Sequence, residues 1–247
     1  MRGLRAVAIL LALAACAVPP PASAPDAAPP PEARASSFQR ALDRHGIDLA
    51  LPREGKAIVV NVPAFELIAF EDASPVMRSR VIVGTPRNPT PIVDTATSVV
   101  RFRPSWRPTP AMVASGEYAD RRWPPGRRNP LGLAAIRLGE GMLVYLHDTN
   151  RRGLFEREDR ALSHGCIRVE RWDAVIAWLL DWEIDAVHRA AEGGRTFDVA
   201  TSGVPVLIRH HTRFPADDGT LERFPDLYGR DGAPSPAARP EAFCASG

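Results

Sequence analysis

Short apolar runs rich in β-branched residues, broken by Pro and Gly, dominate the chain from Lys56 onward: "KAIVVNVP", "FELIAFED", "MRSRVIVG", "TSVVRFR", "GMLVYLH" and "VPVLIRHH". Runs of about five to seven residues between turn signals predict strands. Strands so closely spaced predict a β-sandwich or barrel, not a parallel sheet alternating with helices. Two segments carry helical spacing instead. "ERWDAVIAWLLDWEI" places Trp172, Val175, Ile176, Leu179 and Leu180 on one face and predicts the principal helix. "SSFQRALDRHG" predicts a shorter one, capped by Ser36 or Ser37, with Phe38 and Leu42 on one face and Gly46 as terminator. Between Trp106 and Asn129 lies "WRPTPAMVASGEYADRRWPPGRRN", too long for a simple turn.

The same pattern divides the 247 residues. Residues 1–15 place Arg2 and Arg5 ahead of an apolar run, the order of a secretory signal. The run is too short to span a bilayer, which takes about 20 apolar residues. It ends in Leu13-Ala14-Ala15-Cys16, which resembles a bacterial lipobox, and this implies cleavage before Cys16 and a lipid on its thiol. Ordinary cleavage within the small-x-small Ala15-Cys16-Ala17 is the alternative; both predict export to the periplasm. Relatives of the sorting system use an aspartate after the cysteine to stay at the inner membrane. Ala17 in that place predicts a lipid anchor at the outer membrane. Residues 16–35, dominated by Pro and Ala, read as a tether, and 36–55 as a short helical appendage. One principal domain follows over 56–232, and 233–247 reads as a disordered tail.

Charge excludes one class of partner. Against 29 acidic residues stand 31 Lys and Arg, and removing residues 1–15 takes two arginines and no acid, leaving a formally neutral chain. Lys56 is the one lysine, and the arginines form no cluster of the kind nucleic acid requires.

Candidate chemistry centres on "ALSHGCIRVE", residues 161–170. A disulfide between Cys166 and Cys244 is formally possible, yet Cys244 sits in "GAPSPAARPEAFCASG", which lacks the pattern of an ordered element. Cys166 therefore reads as an unpaired thiol in an oxidising compartment: a nucleophile, a metal ligand or an inert buried thiol. Its approach to the principal helix predicts a lowered thiol pKa through the helix dipole. Gly165 lets the backbone come close to a ligand, and N–H groups at Gly165 and Cys166 suit an oxyanion. His164 faces the wrong way in an extended segment. The better base is His147, at the end of the predicted strand "MLVYLH" and followed by Asp148. A zinc site built on His147, His164 and Cys166 lacks an evident fourth ligand. His45, His188, His210 and His211 read as solvated or hydrogen-bonded, and Trp172, Trp178 and Trp182 as packing.

His147, fifteen intervening residues and then Ser163-His164-Gly165-Cys166 resemble the signature of the L,D-transpeptidase catalytic domain of the YkuD type. "VNVPAFELIAFED", "VIVGTPRNPTP", "PSWRPTP", "NPLG", "YLHDT", "SHGCIRV" and "VPVLIRHHTRFPADDGTLERFPDLYGRD" extend the resemblance over about residues 56 to 232, toward the branch of large murein L,D-transpeptidases. The resemblance implies a mainly β fold with α, a mixed β-sandwich with one principal helix after the cysteine. It implies acyl transfer on peptidoglycan stem peptides by a monomer that needs no cofactor and no metal. Cys166 is then the nucleophile, taking the third residue as a thioester and releasing D-Ala. His147 is the proton carrier, oriented by Asp148 or a nearby carbonyl. Ser163, His164 and Gly165 shape the pocket, and Arg168, where some members have asparagine, suits a stem carboxylate. The 106–129 segment, with Trp106, Trp123, Arg127 and Asn129 alongside Arg121, Arg122 and Arg128, is expected as a lid. Larger relatives also carry a wall-binding module that residues 17–55 are too few to supply. Hydrolysis of the same acyl-enzyme, by a carboxypeptidase or endopeptidase, is the alternative in the same chemistry; an idle wall-binding lipoprotein is the alternative outside it.

Overall fold

The computed structural model describes residues 31–139, 142 and 144–231, with 31–36 as backbone only. The signal segment, Cys16, most of the tether, and the tail with Cys244 lie outside the described residues. Helix α1 (Pro31–Arg44) leads into strands β1 (Lys56–Asn61), β2 (Glu66–Glu71), β3 (Ser74–Gly84) and β4 (Val93–Phe102). A short helix, α2 (Pro110–Ala114), lies in the long loop before β5 (Ala134–Leu138) and β6 (Tyr145–His147). A 3-10 turn at Arg152–Glu156 precedes β7 (Ala161–Ser163) and β8 (Ile167–Val169). Helices α3 (Trp172–Leu180) and α4 (Ile184–Glu192) come next, then β9 (Phe197–Ala200), β10 (Pro205–Arg209), β11 (Arg213–Pro215) and β12 (Leu221–Arg223).

Ten of these strands form one mixed sheet. From β1 the antiparallel neighbours run through β2 to β3, then β8, whose parallel neighbour is β6; antiparallel pairing continues through β5 to β4. Strand β10 lies antiparallel to β4 and parallel to β1, so the sheet closes on itself. Closure removes the free edges that an open sheet exposes. β7 adds to β3, β9 adds to β4, and β11 with β12 makes a separate ribbon.

Alternation along β1 accounts for two cores. Ile58 and Val60 point into the main core with α3 and α4, while Ala57 and Val59 point into a second core under α1. There Phe38 of α1 meets Phe70 edge-on at 5.2 Å, with Phe214 beyond at 6.0 Å. This explains why β1 is apolar without interruption: both its faces are covered.

Two helix boundaries differ from the sequence expectation. α1 begins at Pro31, inside the segment read as tether, so Ser36 and Ser37 are helical positions and not caps. The apolar run read as one helix breaks at Asp181, which adopts a left-handed φ of 54°. The N–H of Trp182 then returns to the Ala177 carbonyl at 2.9 Å, and the Lys56 ammonium donates to the Trp178 carbonyl at 2.7 Å. These bonds satisfy carbonyls that a helix end leaves open. Trp182 stacks on Phe102 at 5.9 Å, and α4 starts as a second helix.

His211 is half-buried at the edge of the second core. It stacks on Phe214 at 5.8 Å, and its Nε2 has no hydrogen-bond partner. Burial, and then the Arg209 charge, pull its pKa down to about 4. An unfolded imidazole titrates near ~6.5, so between the two values the unfolded chain binds the extra proton. Stability from neutral His211 is therefore full above that unfolded value and lost as pH falls toward the folded one. The drop in denaturation midpoint over this acid window is expected to be smaller in His211→Phe than in wild type. Equal slopes in the two proteins would refute the assignment.

Candidate active site

The parallel pairing of β6 with β8 builds the site. Leu146 is level with Ile167, and His147 with Arg168. Leu146 and Ile167 both point into the main core. Because side chains alternate, Tyr145, His147, Cys166 and Arg168 share the opposite face. Cys166 is buried there against Tyr145 and Ala135. Ala135 is also the β5 neighbour of His147.

His147 is 4% exposed, and its Nδ1 makes a short hydrogen bond with the Asp148 main-chain carbonyl. A carbonyl can only accept, so Nδ1 carries the proton and Nε2 holds the lone pair. Burial first, and the Arg168 charge second, lower the imidazole pKa to about 3, against the opposing pull of the Asp148 and Leu131 carbonyls. The imidazole is neutral at neutral pH, as a general base must be.

Asp148 serves the ring through its carbonyl and not its carboxylate. The carboxylate accepts the Leu133 N–H at 2.9 Å and an Arg152 N–H at 2.9 Å, which secures the loop before β5. Gly132, at φ +67°, passes so close that a Cβ there would lie 2.3 Å from Asp148 Oδ2.

The turn from Ser163 to Cys166 is held from within. Ser163 is buried; its Oγ accepts the Gly165 N–H at 3.1 Å and donates to the Cys166 carbonyl at 2.5 Å. Gly165 sits at φ +102°, a region that side chains avoid. His164 turns the other way, and its Nε2 lies 2.9 Å from Glu117 Oε2 in the 106–129 loop. Arg168 is half-buried, and burial pulls its pKa down from the usual guanidinium value, with Tyr118, Arg151 and Glu117 as its charged or ionisable neighbours. It stays cationic at any working pH.

Two sequence expectations need correction. Strand β8 separates Cys166 from α3, so the cysteine does not stand at a helix N-terminus. The dipole effect fades within the first turn of a helix and does not reach it. Cys166 is also disulfide-bonded in this structure, where the sequence reading had an unpaired thiol. The other cysteines of the chain, Cys16 and Cys244, lie outside the described residues. Among the described residues no three His, Cys, Asp or Glu side chains converge as metal ligands.

The 106–129 loop is ordered by its ends. Trp106 and Trp123 exchange backbone hydrogen bonds at 3.0 and 2.6 Å, and Tyr118 meets Trp106 edge-on at 4.9 Å. Asn129 is buried, donates to the carbonyls of Pro104, Trp123 and Pro124, and accepts the Leu131 N–H at 2.9 Å. Arg121 lies over the Trp123 ring at 4.3 Å. Arg127 pairs with Glu192 of α4, so it belongs to the outer surface. Thus Glu117 and Tyr118 approach the cysteine face, whereas Trp106, Trp123 and Asn129 form the base of the loop.

Sequence reasoning did not single out Glu117, Tyr118, Tyr145 or Thr90. Tyr145 was findable, because alternation from His147 puts it on the same face. Thr90 was not: its hydroxyl donates to the Gly165 carbonyl at 3.0 Å across 75 residues of sequence.

A Haemophilus influenzae protein named "Putative L,D-transpeptidase" is 28% identical over 224 residues, covering 73% of this chain and 46% of its own length. The chain thus spans about half the length of that curated relative. Among solved structures, Mycobacterium tuberculosis L,D-transpeptidase 1 shares 17% identity over 63% of this chain and 62% of its own, with a TM-score of 0.36. An L,D-transpeptidase from Mycobacterium smegmatis shares 16% over 62% and 58%, with a TM-score of 0.40. The model of the L,D-transpeptidase catalytic domain, YkuD, matches residues 55–208, well over half the sequence, and the chain belongs to that family.

Proposed function

We propose that the protein is a peptidoglycan L,D-transpeptidase with Cys166 as nucleophile and His147 as proton carrier. The observation that carries this reading is the face shared by Cys166, neutral His147 and Arg168 along the paired β6 and β8. Because Cys166 is disulfide-bonded in this structure, catalysis begins from the thiol that two-electron reduction by a dithiol releases. His147 Nε2 takes the thiol proton as sulfur attacks the carbonyl of the third stem residue. The backbone N–H of Cys166 is the donor proposed for the resulting oxyanion, since the Gly165 N–H, expected from the sequence to share that task, is held by Ser163 Oγ. The C–N bond to D-Ala breaks, the leaving amine takes the proton from His147, and a thioester remains. An amine from a neighbouring stem then attacks the thioester, His147 carries its proton, and the thiol returns. The product is a 3-3 cross-link, or a protein attached to the wall when a protein supplies the stem.

Ser163, His164 and Gly165 are the proposed pocket residues, and the Glu117–His164 contact supports reading the 106–129 loop as a lid over them. Arg168, half-buried and level with the base, is the proposed receptor for a stem carboxylate. The apolar run with Leu13-Ala14-Ala15-Cys16-Ala17 supports export and an outer-membrane lipid anchor at Cys16. No helix among the described residues is long and apolar enough to cross a membrane.

Reduced full-length protein incubated with disaccharide-tetrapeptide is expected to yield cross-linked dimer by mass spectrometry. Tripeptide alone would indicate hydrolysis, and unchanged substrate an idle binder. Cys166→Ala should abolish product, and wild type kept without reductant should give far less than the reduced protein. Equal products from Cys166→Ala and wild type would remove the nucleophile assignment. A carbapenem should add its mass to reduced Cys166.

Losing a charge-assisted hydrogen bond of about 1.5–3 kcal/mol corresponds to roughly 10- to 100-fold. Arg168→Gln is therefore expected to raise KM by about that factor for a stem with a free carboxylate. An amidated stem should be nearly unaffected; equal losses on both stems would refute the carboxylate contact.

A further inference from the structure

The segment that follows β12 reaches back to the cysteine turn, although it lies outside residues 55–208. Asp226 ties this segment into a compact turn, its carboxylate accepting the N–H groups of Arg230 at 2.8 Å and Asp231 at 2.9 Å. Asp231 in turn accepts the Thr212 hydroxyl at 2.9 Å. The turn presents Tyr228, whose ring stacks on His210 at 5.5 Å and whose N–H donates to His210 Nε2 at 3.3 Å.

The Tyr228 hydroxyl donates to the Gly84 carbonyl at 2.7 Å and accepts the Thr90 N–H at 3.1 Å. The Thr90 hydroxyl accepts the Gly84 N–H at 2.9 Å and donates to the Gly165 carbonyl at 3.0 Å. Each hydroxyl has one proton, so both rotors are committed. The loop is closed tightly enough that a Cβ on Gly84 would lie 2.1 Å from the Asn88 carbonyl oxygen. Burial pushes the Tyr228 pKa up, which keeps its hydroxyl a donor.

A trans peptide is planar, and its C=O and N–H point in opposite directions. Anchoring the Gly165 carbonyl to Thr90 therefore aims the Cys166 N–H away from Thr90. We propose that Tyr228 is a positioning residue for acyl transfer: through Thr90 it fixes the peptide plane between Gly165 and Cys166, and with it the oxyanion donor on Cys166. The inference rests on the acyl-transfer reading of Cys166. It makes the segment after β12 part of the catalytic unit without touching substrate.

Tyr228→Phe keeps the ring on His210 and removes only the hydroxyl. Two rates are compared on reduced full-length protein: adduct formation with a carbapenem, which develops an oxyanion, and alkylation of Cys166 by iodoacetamide, which does not. Misplaced geometry of this kind costs roughly 10- to 100-fold. Carbapenem acylation is expected to fall by about that factor in Tyr228→Phe while alkylation stays at the wild-type rate. Thr90→Val should behave the same way, and Thr90→Ser, which retains the hydroxyl, should recover the wild-type rate. Unchanged acylation in Tyr228→Phe with reactive wild type overturns this proposal alone. A parallel fall in both reactions also overturns it, since that marks general loosening. Wild type that alkylates but forms no adduct would overturn the acyl-transfer reading itself, and this proposal with it.

Discussion

The parallel register of β6 against β8 is the constraint on which the site depends. Leu146 and Ile167 are both committed to the main core, so a slip of either strand by one residue would carry His147 or Cys166 to the wrong face. Core burial on one side of the sheet thus keeps His147 and Cys166 together on the other. The same register brings Arg168 level with His147, and its charge adds to burial, the larger cause, in keeping the imidazole neutral. The strands that frame this pair, β3 and β5, are members of the closed sheet, which leaves little freedom for the pair to shift.

Around that pair, main-chain geometry does work that side-chain chemistry suggests at first sight. The Asp148 carbonyl fixes the His147 tautomer, while its carboxylate is spent on Leu133 and Arg152. Ser163 shapes the cysteine turn through the Gly165 N–H and the Cys166 carbonyl. Thr90 and Tyr228 extend this pattern from outside the motif. Such bonds suit a site that must hold backbone donors steady, because a peptide plane anchored on one side is oriented on the other. The 106–129 loop adds a contact of another kind: Glu117 reaches His164 beside the cysteine while Asn129 secures the base of the loop. The tip and the base of that loop therefore have separate tasks.

Strands β1 to β4 and β10 were legible because each carries a run of apolar or β-branched residues between turn signals. Strands β7, β8, β11 and β12 span three residues each, too short for any period, and β5 has two alanines in five. Helix α4 was hidden because its apolar positions follow closely on those of α3, and only residues 181–183, with left-handed Asp181, separate them. For the site, Cys166, His147 and the turn residues were legible from the spacing of the motif. Which group orients His147 was left open between Asp148 and a carbonyl, because a carboxylate and a carbonyl one residue away are equivalent in sequence.

By itself, then, the sequence determined the family and the mainly β texture, and it singled out Cys166 and His147 as the candidates. These follow from local patterns: alternation, turn residues and a fixed spacing. Only the tertiary structure decided that Arg168 stands beside His147, that Cys166 is disulfide-bonded, that Glu117 meets His164 and that Tyr228 supports the turn. Each of these joins residues whose meeting depends on which strands pair and how the sheet closes. Closure is a property of the whole core, and no local pattern encodes it.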